Sequence, residues 1–146
     1  MGNRRQAREC ALQILFQLEF HAGDPGEVAR TYWEGRKVSP AAREYGTWIV
    51  ERIREHGPAI DRTIQSVSTN WRLARMAVVD RNILRIAVAE VLYEPTLVPA
   101  IVMNEAIEIA KRYSGEGSAE FVNGVLDAVV RRLAAAKAGK PAGENS

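Results

Sequence analysis

Few side chains in this 146-residue chain are suited to covalent or acid–base chemistry. His21 falls at a helix end and His56 beside a Gly57-Pro58 break, and neither belongs to a triad or metal-ligand pattern. The single cysteine, Cys10, excludes an internal disulfide and any Cys-rich zinc site. It falls in an apolar helical stripe, where a buried, inert thiol is expected. Glu105 and Glu108 share a helix and read as solvated surface charge. The glycines follow no phosphate-cradling pattern. No catalytic residue, metal or cofactor is expected.

The cations are more informative. Arg4, Arg5 and Arg8 precede any acid and form a basic N-terminal arm. Arg72, Arg75, Arg81 and Arg85, set against Asp80 alone, form a second basic region. Arg131, Arg132, Lys137 and Lys140 form a third. Each reads by itself as a solvated face, but arginine also binds phosphates and stacks on bases, which suits RNA. Phe16 lies two turns beyond Arg8 on the same helix face, as either a core residue or a base platform.

The elements that position these residues are helical. Apolar residues recur at helical spacing nearly throughout, and no segment alternates with period two. A first helix runs from about Arg4 to Phe20, with Cys10, Ala11, Ile14, Leu15 and Leu18 as its stripe. Asp24-Pro25-Gly26-Glu27 reads as a helix start, with a cap, a first-turn proline and an acid placed for a capping box. Ser39-Pro40 repeats the signal, and Gly57-Pro58 breaks or kinks the helix that follows. Val79 to Leu92 is apolar nearly all round and is expected to be buried on most sides. Asp80 near its start offsets the helix dipole. A further helix spans Ala100 to Tyr113, and Ser118 is expected to cap the last one, where Gly124 suggests close approach of another helix or a ligand. The expectation is one all-α domain of about seven helices over residues 1–136, followed by a disordered tail over 137–146.

Composition agrees. Hydrophobic residues make up 47% and charged ones 26%, and a net charge of +2 gives no bulk hint of nucleic acid. The longest apolar runs fall far short of the ~20 residues of a membrane span. No signal peptide is recognisable. A soluble, cytoplasmic setting is expected.

Four strings carry a resemblance. Arg4-Arg5-Gln6-Ala7-Arg8-Glu9-Cys10-Ala11-Leu12-Gln13, Asp80-Arg81-Asn82-Ile83-Leu84-Arg85-Ile86-Ala87, Asn104-Glu105-Ala106-Ile107-Glu108-Ile109-Ala110-Lys111 and Phe121-Val122-Asn123-Gly124-Val125-Leu126-Asp127 stand in the order found in the NusB family of bacterial antitermination factors, which the chain resembles over about residues 3 to 133. The resemblance implies two small helical bundles packed across each other and a function without catalysis. It implies binding to the single-stranded boxA element of nascent ribosomal RNA leaders together with NusE, a small-subunit ribosomal protein, in a complex that joins RNA polymerase. Carried over, Arg4, Arg5, Arg8, Phe16, Phe121 and Asn123 would meet RNA, and Asp80 and Arg81 would face NusE. Phe16 stands where tyrosine is frequent in the family, and Glu120 where a lysine precedes the Phe-Val-Asn-Gly string. A homodimer hiding the RNA face, or an accessory domain of an rRNA cytosine methyltransferase, are the alternative expectations.

Overall fold

The computed structural model describes residues Gly2–Ala138. Six α-helices and one 3-10 turn fill this range: α1 (Gly2–Phe20), α2 (Pro25–Glu34), α3 (Pro40–Val67), the turn Leu73–Arg75, α4 (Val78–Tyr93), α5 (Pro99–Tyr113) and α6 (Glu116–Ala138). The fold is all-α, as the periodicity implies. Residues 139–146, most of the segment assigned as a tail, lie outside the described residues, while Lys137 and Ala138 are the last residues of α6.

Local chemistry explains the boundaries. The Asp24 side chain accepts from the Glu27 N–H at 3.0 Å, with Pro25 in the first helical position. Glu27 does not complete a capping box; its carboxylate goes to Arg30, which also reaches Glu34 at 3.0 Å. Ser39 caps α3 by accepting from the Ala42 N–H at 3.1 Å, again ahead of a proline. The Gly57-Pro58 break is a kink inside one helix: Pro58 offers no N–H and crowds the preceding turn, and His56 leaves helical geometry at φ −118°, ψ 22°. The His56 ring then stacks on Tyr93, 4.3 Å away.

The last helix starts earlier than its serine suggests. Gly115 adopts φ +118°, which a residue with a side chain rarely tolerates, so the chain reverses at once and α6 opens at Glu116. Ser118 is therefore not the cap. It sits in the first turn, where its hydroxyl donates to Asp80 at 3.2 Å.

α1 to α3 form one bundle and α4 to α6 the other. They meet on α4, which packs against α1, α3, α5 and α6. Nine of its sixteen residues are buried, so its apolar circumference has a partner on each side. α1 lies antiparallel to α4: Arg8 meets Glu90 near one end, and Glu19 meets Arg81 near the other.

Candidate nucleic-acid interface

The two ends of α1 are tied to α4 by different charge networks. At the first end, Arg8 is 4% and Glu90 1% exposed. The Arg8 Nε donates to both Glu90 oxygens, at 2.9 and 3.0 Å, and Tyr45 from α3 donates its hydroxyl to the same carboxylate. Glu105 on α5 accepts two bonds from Arg5, at 2.9 and 2.8 Å, and lies 3.7 Å from Arg8. Hydrogen bonding to Arg5 holds the Glu105 carboxyl below its ordinary range. Glu105 is thus a structural anchor for the arm rather than solvated surface charge. Arg8 likewise belongs to the interior, because a buried carboxylate on α4 requires a cation and Arg8 is the group that reaches it. Arg4 remains exposed, with its guanidinium centre 3.9 Å from the centre of the Tyr45 ring.

At the other end, Glu19 accepts from Arg81 at 2.9 and 3.1 Å, from Asn82 at 3.1 Å and from Arg85 at 3.1 Å. Above all the Arg81 hydrogen bonds draw its carboxyl down to about 2. Arg85 also grips Asp61, and Arg81 reaches the Met76 carbonyl at 2.9 Å. Half of the second basic region is therefore spent on internal ion pairs, while Arg72 and Arg75 stay exposed. Arg81, the expected partner contact, is held by Glu19. Asp80 is buried; one carboxylate oxygen takes the Ser118 hydroxyl, and the other has no partner among the described residues.

Between these networks α1 presents an outer strip with helical spacing: Arg5, Glu9, Gln13, Phe16 and Phe20. Phe16 is 42% and Phe20 65% exposed, and their rings pair at 5.0 Å. Phe16 opens onto a groove of about 320 Å³ whose walls include Gln13, Val79 and Tyr113. Glu9 is neutralised by Arg112 at 2.9 Å.

Phe121 is linked to the aromatic end of this strip through the start of α4. Val79 borders the Phe16 groove, its neighbour Asp80 binds Ser118, and one turn on, Phe121 lies 6.4 Å edge-on from Trp71. Asn123 is exposed. Nothing lies within 4 Å of where a Gly124 side chain would begin, so no helix of the described chain makes the close approach expected there. Phe16, Phe121, Asp80 and Arg81 therefore lie toward the start of α4, and the exposed Asn123 lies further along α6. Arg4, Arg5 and Arg8 lie where α4 ends, with Arg4 and Phe16 ~18 Å apart along α1 at 1.5 Å per residue.

Two aromatics at this site escaped the sequence reading. Trp71 is 57% exposed in a loop, and Phe20 closes α1. The available signal was a tryptophan directly after the polar Ser-Thr-Asn stretch, outside any apolar stripe. Among the described residues no cluster of three or more His, Cys, Asp or Glu could hold a metal, and no helix is long and apolar enough to cross a membrane.

Comparison with known proteins adds an independent line. The model of the NusB family matches residues 5–131. A protein of Sorangium cellulosum named transcription antitermination protein NusB is 43% identical over 133 residues, covering 91% of this chain and 95% of the relative. Among solved structures, T. maritima NusB superposes with a TM-score of 0.79 at 37% identity, covering 88% of this chain and 90% of that one. A second structure, of antitermination factors NusB and NusE in complex with dsRNA, gives a TM-score of 0.79 at 29% identity, covering 90% and 98%.

Proposed function

Because the chain belongs to the NusB family and is a transcription antitermination factor rather than an enzyme, we propose that it binds the single-stranded boxA element of ribosomal RNA leaders jointly with NusE. The complex then joins RNA polymerase in the cytoplasm and promotes processive rRNA transcription. The solved structure of NusB and NusE in complex with dsRNA supports RNA and NusE as the classes of partner. Similarity over 95% of a relative named for antitermination favours this over a methyltransferase accessory domain.

The observation that carries the reading is the exposed Phe16–Phe20 pair on the outer strip of α1. Aromatic rings exposed beside a groove suit unpaired bases, which can stack on them, whereas a duplex keeps its bases stacked on each other. Arg4, stacked on Tyr45, and Arg5, part-exposed beside Glu105, supply phosphate contacts at the far end of the strip. Arg8 acts by holding α1 to α4. Phe121, Asn123 and Trp71 extend the aromatic end, and the exposed and part-exposed residues around the buried Asp80, where α4 starts, form the adjoining surface for NusE.

A titration of the purified chain with boxA-like single-stranded RNA, its scrambled version and its duplex tests this, with and without NusE. The boxA strand should bind most tightly, and more tightly still with NusE. Replacing Phe16 with alanine should weaken binding by ~1–3 kcal/mol. Equal affinity for duplex and single strand, or no loss in the Phe16 variant, overturns the reading. A homodimer covering the same strip would appear in sedimentation as self-association that RNA dissolves.

A further inference from the structure

We propose that Arg36 and Lys37, in the connection between α2 and α3, form a phosphate-binding wall along the outer strip of α1, so that the backbone of a bound RNA strand runs in the groove between them. This rests on the RNA reading above and adds a contact surface that none of the three basic regions of the sequence includes.

The groove measures about 450 Å³ and is lined by Gln6, Glu9 and Gln13 of α1 on one side and by Tyr32, Arg36 and Lys37 on the other. Both cations are exposed. The neighbouring acids are already taken: Glu34 by Arg30 at 3.0 Å and Glu9 by Arg112 at 2.9 Å. An anion entering the groove therefore meets two cations that form no ion pair among the described residues, and the one carboxylate lining it is neutralised.

Arg36 is also held in place. Its guanidinium centre lies 4.1 Å from the centre of the Tyr32 ring. Tyr32 is 5% exposed, and its hydroxyl donates to the Gln13 side-chain oxygen at 2.6 Å. A guanidinium lying on a ring keeps its N–H groups at the edge, free to donate to a phosphate. Cations after a helix C-terminus commonly serve the helix dipole. Here, however, the end of α2 is closed by backbone bonds, from the Gly35 N–H to the Thr31 carbonyl and from the Arg36 N–H to the Trp33 carbonyl. Among the described residues the Arg36 side chain makes no hydrogen bond to those carbonyls.

Phosphate contacts read charge and not sequence, and each one lost lowers the salt dependence of single-strand binding by about 0.7 in log–log slope. The test measures binding of boxA-like and scrambled single-stranded RNA to the full chain across a salt series. In the double variant Arg36→Ala, Lys37→Ala the slope should fall by about 1.4. Both RNAs should weaken by the same factor, and the thermal midpoint should stay at the wild-type value. Tyr32→Phe, which keeps the ring, should retain the slope, and Tyr32→Leu should lose about 0.7 of it. If Tyr32→Leu does not fold, the double variant decides alone. An unchanged slope in the double variant, while Phe16→Ala still weakens binding, overturns the wall and leaves the RNA reading standing. A wild-type chain that ignores every RNA overturns the RNA reading itself.

Discussion

Replacing Arg8 with alanine separates an arginine that touches RNA from one that holds the fold. Its guanidinium makes two bonds to Glu90 with Nε, and Nη2 lies 2.8 Å from the same carboxylate. Glu90 is 1% exposed and cannot regain water when its partner is removed. Deleting one member of such a buried pair costs about 3–5 kcal/mol, because the survivor remains charged and uncompensated. For a chain of this length each kcal/mol shifts the melting midpoint by about 2–4 °C, so the fall should be roughly 6–20 °C. The double variant Arg8→Met, Glu90→Leu should be more stable than Arg8→Ala, since no charge is left buried. The Tyr45 hydroxyl, which loses its acceptor, limits that gain by about 1–3 kcal/mol. Urea titration followed by tryptophan fluorescence and by circular dichroism measures all three proteins. If Arg8→Ala unfolds within about 0.5 kcal/mol of the wild type, as a surface substitution would, the buried pair is not formed in solution and Arg8 returns to the RNA arm.

Other substitutions probe the packing and the charge networks. A side chain at Gly46 would meet the Trp33 ring at 2.9 Å and the Ala7 carbonyl at 3.2 Å, so Gly46→Ala should destabilise the chain by about 1–3 kcal/mol in the same titration. Gly124→Ala should do the opposite: the site is open and helical, and alanine gains up to about 1 kcal/mol there. A simultaneous loss of NusE or RNA affinity in that variant would show that a partner makes the close approach the chain itself does not. The Glu19 carboxyl is held at about 2 when folded, against an ordinary value of 4.5. Its contribution is therefore fully present above about pH 4.5 and lost as the pH falls toward 2. Glu19→Gln should lower the melting midpoint at neutral pH and flatten its decline through that acid window.

The helical inventory was legible because it depends on neighbours. The stripe from Cys10 to Leu18 and the caps at Asp24 and Ser39 are written in residues three or four positions apart, and the structure keeps them. The expected cap at Ser118 failed because Gly115, three residues earlier, takes a positive φ and opens the helix at Glu116. The disturbance at His56 was readable from Pro58, but whether it breaks the helix in two or kinks a single one was not.

Charge was legible only as a count. The Arg4, Arg5 and Arg8 run looks uniform in sequence, yet its acids stand 82 and 100 residues away, on α4 and α5. Coulombic pairing acts over a few ångströms of space, so only the packing of α1 against those helices separates the buried Arg8 from the anchored Arg5 and the exposed Arg4. Trp71 meeting Phe121 and Arg36 lying on Tyr32 beside α1 are decided the same way. The sequence by itself determined that the chain forms amphipathic helices of the NusB family, because periodicity and family strings are properties of order along the chain. Tertiary structure alone decided which cations and rings remain free to meet a partner, because burial and ion pairing depend on what folds against them.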